Sequence, residues 1–387
     1  MKVLVNATPL LAPLTGIGQY IRHLFNAMEA LEQVELHMAY GMRIEKGFRL
    51  PSEETVQTTQ RRNNILRRLI PFPKTTQRVV RKAMFGYRTR VGLRNAMYHE
   101  PNYLPMPFDG PLVLTLCDMS CFDHPETHPV ERVRLMQHHL PAAIARADHL
   151  IVISKDSGQA LQRWFDVPSE RITTTYLAAD DRFKPHTTEL LQPALAKMDL
   201  TPQGYVLCVG TLEPRKNLST LFAAFAGLPE PLRKRYPLVV AGMSGWNTDD
   251  LMKSAQALIR SGELRLLGYV KDELIAPLYA GASVFCYPSR YEGFGLPALE
   301  AMASGVPVLT TNRTSLPEVV GSAGLMVDPD DVGSMRDSLR NLLEDRDLAM
   351  RLAAAGLERS TTFSWNRCAL ETLKVYEQVA QARGLSE

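Results

Sequence analysis

Long hydrophobic runs are missing from this chain of 387 residues. Its longest apolar segments, Leu112–Leu116 and residues 238–242, are strand-length, whereas a membrane-spanning helix needs about 20 apolar residues. Residues 1–6 are typical of a first strand, and the cleavage region of a signal peptide does not follow them. We therefore expect a chain without transmembrane spans that works in the cytoplasm.

Cysteine is also scarce, and its spacing excludes the usual cysteine-based sites. The five cysteines form no C-x-x-C pair, and three of them lie in or near apolar strands. They are Cys117, Cys121, Cys208, Cys286 and Cys368. This pattern favours buried free thiols in a reducing compartment over a disulfide framework or a zinc site.

Acidic side chains are absent from residues 56–99, although the net charge of the whole chain is only +3. The Lys and Arg residues in that gap are Arg61, Arg62, Arg67, Arg68, Lys74, Arg78, Arg81, Lys82, Arg88, Arg90 and Arg94. Apolar residues are interleaved with them at roughly helical spacing, a mixture that can rest on an anionic membrane surface. A solvated basic helix and a site for an anionic acceptor are the alternatives for segment 61–94. Nothing else in the chain supports nucleic-acid binding.

Apolar strands alternate with helical segments along most of the chain, which predicts parallel sheets with right-handed crossovers. The length allows two domains with separate cores. Residues 184–193 have the composition of a linker, and a last helix is expected from about Arg367 to Ala382. We therefore predict an α/β chain of two Rossmann-like domains, residues 1–184 and 185–362, followed by a C-terminal segment, 363–387.

The most informative stretch is residues 287–308, Tyr-Pro-Ser-Arg-Tyr-Glu-Gly-Phe-Gly-Leu-Pro-Ala-Leu-Glu-Ala-Met-Ala-Ser-Gly-Val-Pro-Val. It predicts a buried strand, a glycine loop and a helix entered through Pro297. Gly293 and Gly295 permit close backbone approach or a positive φ. The free N–H groups of the helix start favour phosphate. Glu292 and Glu300 frame this loop with hydrogen-bond acceptors.

A second loop between a predicted strand and helix carries paired cations. Residues 210–217 read Gly-Thr-Leu-Glu-Pro-Arg-Lys-Asn, which places Arg215 and Lys216 beside a helix start. Cations there would neutralise the charge of a departing nucleoside diphosphate. An exposed pair of cations on an ordinary turn is the simpler interpretation of the local sequence.

The first half of the chain offers further candidates after its predicted strands. Gly16 and Gly18 lie in a loop before a predicted helix from Ile21 to Leu31, which suits an anion but lacks the third glycine of a dinucleotide fingerprint. The polar residues at the ends of two later strands are His99, Glu100, Asn102 and Asp118.

These motifs together resemble the retaining GT-B glycosyltransferases of family 4, across nearly the whole chain and most strongly in residues 205–330. The resemblance implies a GT-B fold: an acceptor-binding lobe at 1–184, a nucleotide-sugar-binding lobe at 185–362, parallel sheets facing across a cleft, and a C-terminal helix crossing back to the first lobe. Glu300 would then bind the donor ribose, and Glu292 would contact the donor sugar near the anomeric carbon. Lys216 would bind the diphosphate.

The same resemblance assigns the remaining contacts. Backbone amides of the loop Gly293, Phe294, Gly295 and Leu296 would hold sugar and phosphate oxygens. The loop of Gly16 and Gly18 would face the donor phosphates and the acceptor. Asp118 would serve as an acceptor-side base or a sugar contact, with a structural role as the alternative.

Two positions depart from the family pattern. Many members have an arginine directly after the glycine of the second loop, where this chain has Thr211, so Arg215 is a candidate to share the diphosphate. Many members also carry a histidine where this chain has Cys117. Either Asp118 or His99 replaces that histidine, or the contact is absent; Cys117 as a nucleophile is a remote alternative to a buried thiol.

No cofactor or metal is expected beyond the sugar nucleotide. Residues 328–331, Asp-Pro-Asp-Asp, contain the D-x-D spacing that binds divalent cations in another glycosyltransferase fold, but here they follow a strand and contain proline. We interpret them as a turn. Cationic side chains and helix N-termini would neutralise the diphosphate in place of a metal ion.

The amino-acid sequences of these motifs are most similar to those of bacterial mannosyl- and rhamnosyltransferases of polysaccharide or O-antigen assembly. This similarity implies transfer of a hexose from a nucleoside diphosphate sugar, with a GDP-linked donor favoured, to a glycan or lipid-linked acceptor at the inner face of the cytoplasmic membrane. The alternatives are another GT-B enzyme that uses UDP- or ADP-glucose, and a non-catalytic sugar-nucleotide-binding partner of an assembly complex.

Overall fold

The computed structural model describes residues 1–12, 16–41, 43–52, 55–56, 58, 85–86, 89, 92–246 and 248–385. The basic segment 61–94 lies outside this described part, apart from residues 85–86, 89 and 92–94. The described chain divides into two compact units. The first comprises Met1–Phe122, Glu131–Leu177 and Trp365–Glu387, and the second comprises Asp123–Val130 and Ala178–Ser364.

A seven-stranded sheet organises the first unit. Its strands are β1 (Lys2–Asn6), β2 (Glu35–Tyr40), β3 (Arg43–Lys46), β4 (Met97–Glu100), β5 (Leu112–Leu116), β6 (His149–Val152) and β7 (Ile172–Thr174). The spatial order is β3-β2-β1-β4-β5-β6-β7, and only β3 runs antiparallel, paired with β2. The central strands are buried on both faces, which is why they read as continuous apolar runs.

Helices cover this sheet. They are α1 (Gly16–Ala30), α2 (Ser120–Asp123), α3 (Val130–Arg146), α4 (Lys155–Phe165) and the C-terminal helix, which is the last of the chain (Trp365–Ala382). Helix α4 begins after Ser154, whose side chain accepts a hydrogen bond from the Ser157 N–H and so caps the helix. The C-terminal helix packs against α1 within this unit.

A buried hydrogen-bond network ties the C-terminal helix to the sheet. His99 Nδ1 lies 2.5 Å from the Tyr376 hydroxyl, and His99 Nε2 lies 2.7 Å from Thr115 Oγ1. Thr115 Oγ1 is also 3.1 Å from the hydroxyl of Tyr20 on α1. All four side chains are almost completely buried, so each polar group depends on the others for its hydrogen bonds.

The second unit is built on a six-stranded, all-parallel sheet of order β10-β9-β8-β11-β12-β13. Its strands are β8 (Val206–Val209), β9 (Leu238–Ala241), β10 (Leu264–Gly268), β11 (Val284–Tyr287), β12 (Val308–Thr311) and β13 (Gly324–Val327). Its helices are α5 (Thr188–Ala196), α6 (Leu218–Ala226), α7 (Glu230–Arg235), α8 (Asp249–Arg260), α9 (Asp272–Ala280), α10 (Leu296–Ala303), α11 (Leu316–Val320), α12 (Val332–Glu344) and α13 (Arg346–Ser360). The C-terminal helix is α14.

Apolar packing between this sheet and its helices forms the core of the second unit. Leu221 and Phe225 of α6 join Val240 of β9, Leu258 of α8 and Leu339 of α12 in one buried cluster. Each such side chain contributes about 1.5–3 kcal/mol relative to an exposed one. Packing of this kind fixes the strand ends from which the site loops leave.

The structure differs from the sequence-based expectations at three places. The linker-like residues 184–193 include the start of α5, because Leu191 and Leu195 are buried and draw the segment into a helix. The predicted loop of Gly16 and Gly18 is instead the first turn of α1, which begins at Gly16. Strand β3, an edge strand with partly exposed residues, was not predicted.

Among the described residues, no helix combines the length and the apolar character needed to cross a bilayer. All five cysteines are free and buried, as their spacing predicts.

The network around His99 predicts an acid-sensitive first unit. Burial lowers the pKa of His99 to about 3, whereas an unfolded histidine titrates near 6.5. Between these values the unfolded state binds a proton that the folded state does not. The free energy of unfolding should therefore fall by about 1.4 kcal/mol per pH unit as the pH drops below 6.5.

Urea unfolding between pH 7 and pH 5 measures this slope. A Trp246→Phe background leaves Trp164 and Trp365, both in the first unit, as fluorescent reporters. His99→Gln should remove this part of the pH dependence, and His138→Gln, at an exposed position, controls for the loss of one histidine. An equal slope in wild type and His99→Gln would contradict the assignment.

Candidate functional site

The order of strands in the second unit brings two loops together. The chain runs from β8 through β9 to β10 at one edge, then returns to place β11 beside β8 before continuing to β12 and β13. The loops after β8 and β11 therefore leave neighbouring strands in opposite directions. Open parallel sheets bind their ligands at such a point, beyond the carboxyl ends of the strands.

The loop after β8 is held in place by Asn217. Its backbone adopts φ 54°, and its buried Nδ2 donates to the carbonyls of Pro288 at 3.1 Å and Pro329 at 2.8 Å. One amide thus ties the loops after β8, β11 and β13 together. The sequence motif contains Asn217, but its spacing gave no sign of this role.

Lys216 and Arg215, predicted to bind a diphosphate, both contact Glu292. Lys216 Nζ donates to Glu292 Oε1 at 2.6 Å and to the Tyr287 hydroxyl at 2.6 Å. Arg215 donates to Glu292 Oε2 at 3.0 Å and to the carbonyl of Tyr291 at 2.6 Å. The side chains of Lys216, Arg215 and Glu292 are 12%, 15% and 8% exposed, so these are largely buried charges.

A second carboxylate, Glu213, orients Arg215. Glu213 Oε1 accepts hydrogen bonds from Arg215 Nε at 3.1 Å and from Arg215 Nη2 at 2.6 Å. The side chain of Glu213 is only 6% exposed, so it serves as a buried counter-charge to Arg215. Sequence reasoning missed Glu213, although a carboxylate two residues before a cation in a tight loop is a usable signal.

Opposing effects set the charge states in this cluster. Burial would raise the pKa of Glu292, but Lys216 and Arg215 outweigh it and bring the pKa to about 2. Burial lowers the pKa of Lys216, and Glu292 acts against that decrease. Glu292 is therefore an anion at neutral pH, and each member of the pair depends on the other to compensate the loss of hydration.

The main chain of Glu292 is also fixed. Its N–H donates to Thr314 Oγ1 at 3.0 Å, and its carbonyl accepts from Ser315 Oγ at 2.8 Å. Thr314 adopts φ 52°, a left-handed conformation that is uncommon for a β-branched residue. Such outliers persist only where their surroundings enforce them, and they concentrate at functional sites.

Gly295 forms the entrance to α10, as the sequence predicts. It adopts φ 102°, and a Cβ there would lie 2.7 Å from Leu316 Cδ2. Helix α10 then begins at Leu296, with Pro297 in its first turn and without a side-chain cap or an acidic residue. The positive end of its dipole therefore carries no counter-charge from a side chain of the first turn and favours an anion.

The other residues of this loop are packed into the unit. Gly293 and Phe294 are buried, and the Phe294 ring lies 5.7 Å from that of Phe363. Leu296 is half-buried. Packing of the Phe294 ring thus fixes this loop within the second unit.

Glu300, on the same helix, has a contrasting environment. Its residue is half-buried, and burial raises the pKa of its carboxyl to about 7, opposed by the Tyr279 hydroxyl and by Arg182. Asp180 and Asp272 raise this pKa further. Glu300 is thus a carboxyl poised between its neutral and anionic forms, next to a helix start.

The predicted residues of the first unit lie at the carboxyl edge of its sheet. Asp118 follows β5, and its Oδ1 accepts from the N–H and the hydroxyl of Ser120 at 3.0 Å and 2.6 Å. Gly18 is buried in the first turn of α1, whereas Gly16 is exposed and has open space where a Cβ would stand.

His99 and Cys117 are engaged within the first unit. Both ring nitrogens of His99 are hydrogen-bonded inside the network with Tyr376 and Thr115, which leaves neither for a ligand. Burial raises the pKa of the Cys117 thiol, so it is a poor nucleophile. Of the two side chains suggested in place of a histidine, the geometry leaves Asp118.

The aspartates of residues 328–331 have structural partners. Asp328 pairs with Arg313, Asp330 pairs with Arg290, and Asp331 caps α12 by accepting from the Ser334 N–H. Within the described part of the chain, no group of three or more His, Cys, Asp or Glu side chains is arranged to hold a metal ion.

Comparison with known proteins identifies the sequence pattern around these loops. The family described as Glycosyl transferases group 1 matches residues 198–359, which contain Lys216, Glu292 and Glu300. The chain is 38% identical over 384 residues to "O-antigen chain mannosyltransferase B" of Escherichia coli, covering 97% of this chain and 100% of that protein. It is 32% identical over 245 residues to "Serotype-specific mannosyltransferase WbdA" of Escherichia coli, covering 62% of this chain and 30% of that longer protein.

Solved structures show the same architecture. A sucrose-phosphate synthase from Thermosynechococcus elongatus matches 98% of this chain and 99% of its own with a TM-score of 0.75 at 22% identity. WaaG, "a glycosyltransferase involved in lipopolysaccharide biosynthesis", matches 97% of this chain and 99% of its own with a TM-score of 0.71 at 16% identity. These likenesses, with one all-parallel sheet and one sheet that is parallel except for its edge strand β3, confirm the predicted GT-B fold.

The full-length relative at 38% identity and the family match over the second unit agree with each other. This chain belongs to the group 1 glycosyltransferases and is a glycosyltransferase enzyme.

Proposed function

We propose that this glycosyltransferase moves a hexose from a GDP-linked sugar to a glycan or lipid-linked acceptor in O-antigen synthesis. Mannose is the favoured hexose, and rhamnose is the second candidate. The observation that carries this proposal is the 38% identity, along 97% of the chain, to a relative named as an O-antigen chain mannosyltransferase. The retained anomeric configuration is carried over from the family resemblance.

The geometry of the second unit supports one placement of the donor. The diphosphate lies at the start of α10, where the helix dipole favours an anion, with Lys216 and Arg215 as its cations. Glu300, one turn further along α10, accepts hydrogen bonds from the ribose diol. Glu292, between the cations and the start of the helix, accepts from hydroxyls of the donor sugar.

In this arrangement the enzyme acts mainly through charge. As the bond from the anomeric carbon to the diphosphate breaks, Lys216 and Arg215 stabilise the negative charge on the leaving group. The fixed anion Glu292 stabilises the developing positive charge on the sugar. Asp118 is the proposed acceptor-side contact. Because two cations and a helix start serve the diphosphate, we propose that the reaction needs no metal.

The alternatives differ in binding and in turnover. A GT-B enzyme of glucan or sucrose type would select UDP- or ADP-glucose. A non-catalytic assembly partner would bind a sugar nucleotide without transferring the sugar. The hydrogen-bonded Glu292, Lys216 and Arg215 favour a catalyst over such a partner.

Calorimetric titration with GDP, UDP and ADP, before and after EDTA, tests the donor site. We expect one of the three nucleotides, with GDP favoured, to bind with an affinity that EDTA does not change. Lys216→Ala should weaken that binding by roughly 1.5–3 kcal/mol, as expected for a hydrogen bond to a charged group. Lys253→Ala, at an exposed position away from the loops, is the matched control. Equal affinities of wild type and Lys216→Ala would contradict the assignment.

Glu300 predicts a pH dependence that is specific to the ribose. Below pH 7 its carboxyl gains a proton and loses acceptor capacity, so ribonucleotide affinity should rise with pH through about 7. A 2′,3′-dideoxy nucleotide has the same phosphates but no diol, and should lack this component. The affinity ratio of the two nucleotides, measured from pH 6 to pH 8, isolates the effect, and Glu300→Gln should abolish it. A ratio that stays constant with pH in the wild type would rule out the ribose role.

We also propose that the basic segment 61–94 holds the enzyme at an anionic membrane surface. The full chain should sediment with phosphatidylglycerol vesicles at low salt and less at high salt. Replacing Arg61, Arg62, Arg67 and Arg68 by serine should reduce sedimentation, whereas the same replacement at Arg336 and Arg340 on α12 should not. Equal sedimentation of both variants would contradict a specific role for the segment.

A further inference from the structure

The cations proposed to bind the diphosphate are already occupied in the free protein. Glu292 accepts from Lys216 at 2.6 Å and from Arg215 at 3.0 Å, and Glu213 accepts from Arg215. The formal charges of these four side chains cancel. A diphosphate that binds the two cations therefore competes with the carboxylate of Glu292 for them.

A displaced Glu292 needs new hydrogen-bond donors. Its side chain is 8% exposed, so water cannot fully replace the cations, and an uncompensated buried carboxylate is strongly unfavourable. An ionised carboxylate only accepts hydrogen bonds, and sugar hydroxyls are donors. A nucleoside diphosphate sugar thus brings the replacement donors with it.

A free nucleoside diphosphate lacks the transferred sugar, and therefore the hydroxyls that would reach Glu292. It also adds charge, because its terminal phosphate is linked only through the anhydride oxygen and loses a second proton near pH 6, whereas each phosphate of a sugar nucleotide has two links and a single negative charge. The free diphosphate therefore places more negative charge beside Glu292 and supplies no hydroxyl of a donor sugar to that carboxylate.

We propose that Glu292 discriminates between the donor and the spent nucleoside diphosphate by competing with the latter for Lys216 and Arg215, and so promotes its release after transfer. This inference rests on the proposed donor site.

The surroundings allow this exchange with small movements of side chains. The N–H and the carbonyl of Glu292 are held by Thr314 and Ser315, which keeps the carboxylate near the cations throughout. Lys216 keeps the Tyr287 hydroxyl as a hydrogen-bond partner, and Arg215 keeps Glu213, when either leaves Glu292. Each side chain thus exchanges one hydrogen-bond partner for another while the main chain stays in place.

Glu292→Gln tests the proposal because glutamine keeps the volume and one oxygen acceptor for Lys216 but removes the charge. Calorimetric titration would compare the nucleoside diphosphate that the wild type binds with its mannose or glucose ester. We expect the free diphosphate to bind about ten-fold more tightly to Glu292→Gln than to wild type. The sugar nucleotide should gain much less, since it loses its hydroxyl contact.

Glu213→Gln is the matched control. It removes one negative charge from the same cluster. A gain in affinity that came only from the loss of charge would therefore appear for both nucleotides in Glu213→Gln as well. The ratio of the two affinities should change about ten-fold in Glu292→Gln and less than about three-fold in Glu213→Gln. Thermal unfolding of each variant shows that the protein titrated is folded.

The outcomes separate the two proposals. Weaker or unchanged binding of the free diphosphate by folded Glu292→Gln, or an equal change of ratio in Glu213→Gln, would overturn the role of Glu292 in product release and leave the donor site standing. Failure of the wild type to bind any nucleotide would contradict the proposed function itself.

Discussion

The ion pairs between Glu292 and the cations Lys216 and Arg215 are the interaction on which the candidate site depends. Each of these charges is largely removed from water, so none is tolerable without the others. They can meet only because the strand order places the loops after β8 and β11 side by side. Asn217 then fixes the spacing of those loops, and Thr314 and Ser315 fix the main chain of Glu292. The parallel sheet is thus the support for a small, neutral cluster of buried charges.

The two glutamates of the motif illustrate how environment sets chemistry. Glu292 faces two cations, which bring its pKa to about 2 despite burial. Glu300, eight positions along the chain, has no comparable compensation, and its pKa is raised to about 7. Glu292 is therefore an anion throughout the neutral pH range and compensates the two cations when no ligand does. Glu300 gains most from a ligand that supplies hydrogen-bond donors, which is the property we assign to the ribose.

The sequence predicted what local spacing and chemistry determine. The alternation of strands and helices and the helix start after Gly295 follow from periodicity and backbone preferences, whereas the GT-B fold was implied by the family resemblance; all are confirmed. The sequence also brought Arg215, Lys216 and Glu292 forward as polar residues in glycine-rich loops. Their direct contact depends on strand order, which residue spacing does not contain.

What sequence reasoning missed depends on tertiary contacts. Asn217, Glu213 and Thr314 act on residues that are distant in the chain or adjacent only in the folded loop. His99 stands at the end of an apparent functional strand, yet the helix from the far end of the chain buries it. The linker composition of residues 184–193 concealed α5, because two buried leucines outweigh the local preference.

A crystal structure of the chain with a bound nucleoside diphosphate tests the central claim most directly. The account predicts density for the diphosphate at the start of α10, within hydrogen-bond distance of Lys216 Nζ, with the Glu292 carboxylate turned away from at least one of its cations. Density for the diphosphate elsewhere, with both ion pairs of Glu292 intact, would contradict it.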